Sequence, residues 1–148
     1  MMPALSVPPS PASLVVRELG NETPIASVPG EVVIGDDSEW YDFDTKYLAG
    51  RMKLRIPAGI PEEATTLVAQ RSVEVFMALE CAGLARVDSF VTPDGDVIVN
   101  EVNTAPGFTP TSAYASLFAA SGVPTRELVT RLVDLALDRF RTARSVLV

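Results

Sequence analysis

The stretch from Leu84 to Val102 constrains this chain most. Two runs of β-branched and other apolar residues, Leu84–Thr92 and Asp96–Val102, flank Pro93-Asp94-Gly95-Asp96. An Asp-Gly pair between such runs is a strong signal for an antiparallel hairpin. With a two-residue loop at Asp94-Gly95, Asp88 faces Glu101, Arg86 faces Asn103 and Phe90 faces Val99. Strand alternation then gathers all six side chains on one face. The alternates Leu84, Val87, Ile98 and Val102 are mostly apolar, so both faces of the hairpin are engaged.

Two carboxylates directly opposed across a strand pair repel. A divalent cation resolves the conflict. Mg²⁺ takes hard oxygen ligands, usually one or two carboxylates with phosphate and water. Asp88, Glu101 and the Asn103 amide supply three such oxygens. Arg86 beside them suits a phosphate or a developing oxyanion. The plainer alternative is a solvated polar face on which Arg86 pairs with one of the acids. Thr104-Ala105-Pro106-Gly107-Phe108-Thr109-Pro110-Thr111-Ser112 follows at once, a loop opening a helix where backbone N–H groups can meet an anion.

The rest of the chain supplies a sheet and its cover. Ser13–Leu19 and Lys53–Ile56 suit strands, and Ile25–Ile34 a bent strand or strand–turn–strand broken at Pro29-Gly30. Gly35–Tyr47, with Trp40, Tyr41, Phe43 and Tyr47, suits a packed loop. Pro61 followed by Glu62 and Glu63 opens a helix that Gly83 is expected to stop. A short helix runs from Ser112 to Ser121 before Gly122. A last one starts after Pro124, with Thr125 as cap and Leu128, Leu132, Leu135 and Phe140 on one face. Strands mixed with helices imply an α+β fold, a mostly antiparallel sheet backed by helices. Residues 1–12, with Pro3, Pro8, Pro9 and Pro11, are expected to be a disordered lead-in to a folded lobe over 13–148.

Composition closes off several chemistries. The 148 residues carry 19 acidic and 12 basic side chains, a net charge of −7. Nucleic-acid binding calls for clustered Lys and Arg, and an acidic chain is equally unsuited to an anionic membrane surface. No run approaches the roughly 20 apolar residues of a membrane-crossing helix. With no histidine, Ser-His-Asp triads and His-ligated zinc are excluded. The single cysteine, Cys81, excludes an intrachain disulfide and suits a small buried residue at a helix end. The N-terminus lacks the features of a signal peptide, so a cytoplasmic location is expected. Lys46 and Lys53 are the only lysines.

Gly83-Leu84-Ala85-Arg86-Val87-Asp88 and Asn100-Glu101-Val102-Asn103-Thr104-Ala105-Pro106-Gly107-Phe108-Thr109-Pro110-Thr111-Ser112 closely resemble the signature of the D-alanine–D-alanine ligase family. These are ATP-grasp enzymes of peptidoglycan precursor synthesis. Ala26-Ser27-Val28-Pro29-Gly30-Glu31 and Tyr41-Asp42-Phe43-Asp44-Thr45-Lys46-Tyr47 carry the resemblance upstream, over about Leu14–Phe140. It implies the C-terminal lobe of an ATP-grasp fold, with ATP and Mg²⁺ (or Mn²⁺) as cofactors and D-alanine as substrate. By resemblance, Asp88, Glu101 and Asn103 hold the metal and with it the ATP phosphates. Arg86 and the Gly107 N–H stabilise the tetrahedral intermediate, and Ser112 binds the carboxylate of the second D-alanine. Lys46 contacts the transferred phosphate and Tyr47 orders the loop over the site.

The family's enzymes are longer, with an N-terminal domain and a central lobe over ATP that this sequence does not show. Two readings follow. One is the catalytic lobe of a ligase, needing its N-terminal half. The other is a non-catalytic remnant, a Mg–nucleotide-binding module that keeps the fold. A homodimer is compatible with both. The second substrate, D-alanine, D-lactate or D-serine, is left open. Residue by residue, Lys46 can also be a surface cation, Tyr47 core packing, Ser112 a helix cap, and Glu31 a turn residue or a carboxylate facing the site.

Overall fold

A computed structural model describes residues 10–19, 23–34, 52–109 and 112–145. Its centre is a six-stranded sheet in which every described pairing is antiparallel. The strands are β1 (Ser10–Leu19), β2 (Thr23–Ala26), β3 (Gly30–Ile34), β4 (Met52–Arg55), β5 (Leu84–Val91) and β6 (Val97–Asn103). They lie in the order β4-β3-β1-β5-β6, with β2 also paired to β1. Three helices lie among the described residues: α1 (Glu62–Ala78), α2 (Ala113–Ala120) and α3 (Thr125–Ser145).

β1 begins at Ser10, inside the stretch expected as lead-in. Ser10, Pro11 and Ala12 pair with Val91, Phe90 and Ser89 of β5. Pro11 has no N–H to give, and β3 pairs only with the next two residues, Ala12 and Ser13. A proline is tolerated near a strand end where one side of the ladder does not need its donor.

The two faces of the sheet bury separate cores. Against one face α1 packs Ala64, Val68 and Phe76 onto Ala85, Val87 and Val91 of β5. On the other, α2 and α3 bring Tyr114, Leu117, Phe118 and Leu128 against Ile25, Ile56 and Leu84. Leu84 therefore belongs to the Arg86 side of β5, not with Val87, and Ile98 is exposed. Gly30 permits the close approach of α2. A Cβ there would stand 2.7 Å from Leu117 Cδ2 and 3.1 Å from Leu54 Cδ1.

Helix α1 ends earlier than Gly83 suggested. The Glu80 N–H donates to the Met77 carbonyl and the Cys81 N–H to the Phe76 carbonyl, each at 3.0 Å. This is a Schellman closure with Glu80 at φ 51° in the position glycine usually takes. Helix α2 closes in the same way with Gly122 at φ 83°, as its sequence suggests. On α3, Leu128 is buried and Leu132 packs against the same core, but Phe140 is exposed. It lies about a third of a turn round from Leu128 at 3.6 residues per turn.

Candidate cation and phosphate site on the β5–β6 hairpin

The hairpin turns differently from the two-residue loop expected. The Thr92 N–H donates to the Asp96 carbonyl at 2.9 Å, and the Gly95 N–H to the Thr92 carbonyl at 3.0 Å. Thr92 Oγ1 accepts from the Asp96 N–H at 3.0 Å. The loop is therefore three residues, Pro93-Asp94-Gly95, with Gly95 at φ 89°, where a glycine is least strained. That displaces the pairing near the turn by one: Ser89 faces Val99, Phe90 faces Ile98, and Val91 faces Val97.

A bulge then reverses the displacement. Between Asp88 and Ser89 the partner jumps from Glu101 to Val99, and Asn100 has no cross-strand partner in the register. Below the bulge Asp88 faces Glu101 and Arg86 faces Asn103, as expected. Phe90 facing Val99 is thus corrected, while the two pairs that carry the site stand. The bulge has a physical cause. Val97, Val99 and Val102 all pack toward the α1 core, and the step of three from 99 to 102 fits a strand only if one residue bulges. That break in the apolar period was the available sequence signal.

The site face is charged and mostly self-paired. Arg86 Nε donates to Asp88 Oδ1 and Arg86 Nη2 to Asp88 Oδ2, both at 2.9 Å. Nη2 also reaches Glu101 Oε1 at 3.5 Å. The Arg86 and Asp88 side chains are 19% and 17% exposed, and Glu101 is 43% exposed. The guanidinium therefore bridges the two acids, where the plainer alternative had it pair with one of them on a solvated face. Asn103 Oδ1 accepts from the Ala105 N–H at 3.0 Å and fixes the start of the loop. An amide oxygen has two lone pairs, so one remains for a further partner.

The donor set fits a hard divalent cation. Asp88 and Glu101 stand side by side on one face, and Asn103 lies at the end of the same strand as Glu101. Among the described residues there is no cluster of three His, Cys, Asp or Glu side chains suited to a metal. Any metal held here therefore takes two carboxylates and an amide, a set typical of Mg²⁺ sharing its sphere with phosphate and water.

Beyond Asn103 the chain leads directly to α2. Gly107 is exposed, and a Cβ there would meet open space. Phe108 is tied to Tyr114 at 5.5 Å between ring centroids, and Tyr114 to Phe118 at 5.3 Å, so the loop is pinned to a buried aromatic row. Ser112 stands at the N-cap position of α2, yet its hydroxyl makes no cap bond. Ser112 Oγ is buried with no hydrogen-bond partner among the described residues. A hydroxyl in that state is incomplete, and the cap alternative does not account for it.

Glu31 is a strand residue, not a turn residue. Its Oε2 accepts from Arg55 Nε and from the Gly59 N–H, both at 3.0 Å, and from Arg55 Nη2. It clamps β3 to β4 and the segment after it. Sequence reasoning missed that role, although Glu31 and Arg55 are direct cross-strand partners. Cys81 is partly buried against the α1 core, and burial pushes its thiol above the ordinary value. Lys46 and Tyr47 lie outside the described residues.

The chain matches the family model for the D-ala D-ala ligase C-terminus over residues 12–134. It is 51% identical over 124 residues to D-alanine--D-alanine ligase A of Chromobacterium violaceum, covering 83% of this chain and 33% of that protein. It is 49% identical over 132 residues to the D-alanine--D-alanine ligase of Deinococcus radiodurans, covering 88% of this chain and 38% of that one. The solved D-alanine-D-alanine ligase of Coxiella burnetii superposes with a TM-score of 0.79 at 31% identity, over 95% of this chain and 35% of that one. The VanG D-Ala:D-Ser ligase of Enterococcus faecalis gives a TM-score of 0.74 at 30% identity, over 88% and 37%. The chain thus spans roughly a third of the length of these relatives. The α+β fold expected from the hairpin and its covering helices is the C-terminal lobe of an ATP-grasp ligase, and the chain belongs to the family of D-alanine–D-alanine ligase C-termini.

Proposed function

We propose that this chain is the catalytic lobe of an ATP-dependent D-alanine–D-alanine ligase serving peptidoglycan synthesis in the cytoplasm. The observation that carries the proposal is the register of the hairpin, which sets Asp88 beside Glu101 and Arg86 beside Asn103 on one face. In the proposed reaction the carboxylate of a first D-alanine takes the γ-phosphoryl group of ATP, giving an acyl phosphate and ADP. The amine of a second D-alanine attacks its carbonyl carbon. Phosphate leaves and D-alanyl-D-alanine forms. Positioning and charge stabilisation supply most of the catalysis in phosphoryl transfer, so a chain without histidine is no obstacle.

Asp88, Glu101 and Asn103 would hold Mg²⁺ (or Mn²⁺), which when bound neutralises charge on the phosphate oxygens. Arg86 and the Gly107 N–H face the oxyanion of the tetrahedral intermediate. Ser112 receives the carboxylate of the second D-alanine, a role supported by its buried hydroxyl, which has no partner among the described residues. Lys46 contacts the transferred phosphate and Tyr47 orders its loop. The small-molecule partners are ATP and D-alanine. The protein partner is the N-terminal part of the ligase, and a homodimer of the completed enzyme belongs to the same proposal.

The alternative is a non-catalytic Mg–nucleotide-binding module that keeps the fold. One experiment separates the two. The 148-residue chain is assayed for D-alanyl-D-alanine alone and with the N-terminal two-thirds of the Deinococcus radiodurans relative. Alone it should be inactive, since misplacing reactants by about 1 Å already costs roughly a hundredfold. Product formed by the pair, and lost with Asp88→Asn, supports the ligase lobe. An inactive pair that still binds Mg–ATP supports the module. D-Serine or D-lactate in place of the second D-alanine reads the specificity directly.

A further inference from the structure

We propose that Arg86 and a divalent cation compete for Asp88, so that cation binding releases the guanidinium for use. The proposal rests on the ligase reading above, in which Asp88 and Glu101 hold the metal and Arg86 faces the substrate. The geometry does not let both roles operate together. Arg86 Nε and Nη2 occupy both oxygens of Asp88 at 2.9 Å, and the same Nη2 leans on Glu101 Oε1 at 3.5 Å. A planar guanidinium seated on a carboxylate in this two-pronged manner takes one lone pair of each oxygen and occupies the side that a cation chelated by both oxygens would need.

Charge makes the exclusion sharper. One cation shared by two anions leaves the triad at −1. A doubly charged ion placed on those carboxylates cancels their charge, so they no longer hold the guanidinium. Arg86 and Asp88 are both less than a fifth exposed, so water screens this only partly. The released side chain starts opposite Asn103, the residue that leads into the Thr104–Thr109 loop. It is thus delivered next to the Gly107 end of the site. The pairing also answers why two opposed carboxylates can stand side by side: each has a cationic partner until a stronger one arrives.

Coupling of this kind is reciprocal. An anion that draws Arg86 away frees Asp88 and tightens the cation, just as the cation frees Arg86 for the anion. The site then assembles as a unit, and neither half is committed without the other.

Two measurements on the 148-residue chain test this, with Mn²⁺ as the probe. The first follows the rate at which phenylglyoxal modifies Arg86, read by mass spectrometry with the other nine arginines as internal standards. Saturating Mn²⁺ should accelerate Arg86 alone by about tenfold, within the usual range of coupling between sites. In Asp88→Asn, Arg86 should react faster than in the parent from the start and ignore Mn²⁺. The second is the Mn²⁺ isotherm. Arg86→Gln should bind more tightly than the parent by about the same factor, and Arg86→Lys, which keeps the charge but loses the fork, should fall between. An Arg86 rate that Mn²⁺ leaves unchanged or slows overturns the proposal, even if Mn²⁺ binds. Absence of any Mn²⁺ binding that Asp88→Asn abolishes overturns both this proposal and the metal reading beneath it.

Discussion

On the α1 side of β5 the chain buries Ala85, Val87 and Val91; on the other side, alternating with them, it holds Arg86 and Asp88. The two faces are a few ångströms apart along one backbone and obey different rules. The first is dry and contributes stability through area and fit. The second keeps charges that local folding does not need and has to neutralise them. Each face depends on the other. The bulge at Asn100 lets Val97, Val99 and Val102 reach the core while Glu101 and Asn103 remain opposite Asp88 and Arg86.

The largest expected effect lies on the dry face. Phe76→Ala opens the centre of the α1 core, where Phe76 is buried among Val68, Ala85 and Val87. It should cost about 3–5 kcal/mol, seen as a shifted urea midpoint with an unchanged slope. A loss below about 1 kcal/mol would mean that α1 is not the layer that holds the hairpin down.

On the charged face the sign matters more than the size. Asp88→Asn removes the carboxylate that takes both Arg86 donors. It should lower metal-free stability by about 1–3 kcal/mol, the range for hydrogen bonds to charged groups. Simple repulsion between Asp88 and Glu101 would instead make the variant more stable. Chemical denaturation at low salt distinguishes the two outcomes.

The smallest effect is a gain, and it comes from Ser89, the one polar residue that β5 turns to the dry face. Ser89 is 2% exposed and its hydroxyl has no partner among the described residues. Ser89→Ala removes that desolvated group without adding bulk, so stability should rise by about 1 kcal/mol. A loss in the melting experiment would show that Ser89 Oγ has a partner and that the face is less dry than its neighbours suggest.

What was legible in the sequence followed from period and chemistry. Alternation along 84–103 placed Arg86, Asp88, Glu101 and Asn103 together, and the Gly122 stop was read correctly because glycine is the residue that stop prefers. The pairing came out right partly by cancellation: a three-residue loop moved the register one way and the Asn100 bulge moved it back. Other features carried weaker signals. Glu80 takes a left-handed conformation that nothing in its side chain advertises. The Arg86 bridge carries a weak signal, because opposed acids alone imply repulsion and the cation that relieves it stands one pair away. Glu31 read as a turn residue because Pro29-Gly30 precedes it, while its partner Arg55 lies 24 positions on.

The proposed cation site needs both Asp88 and Glu101, with a nucleotide phosphate beside them. Its most direct test is the thermal melt of the 148-residue chain, Asp88→Asn and Glu101→Gln, each with and without millimolar Mg²⁺ and ADP. A ligand that binds only the folded state stabilises it by RT ln(1 + [L]/Kd). With three protein ligands and millimolar affinity the parent should gain a measurable amount below about 1 kcal/mol, and both variants should gain nothing. Equal gains in the parent and both variants, or no gain in the parent, would contradict the claim and leave the two acids as structural partners of Arg86 alone.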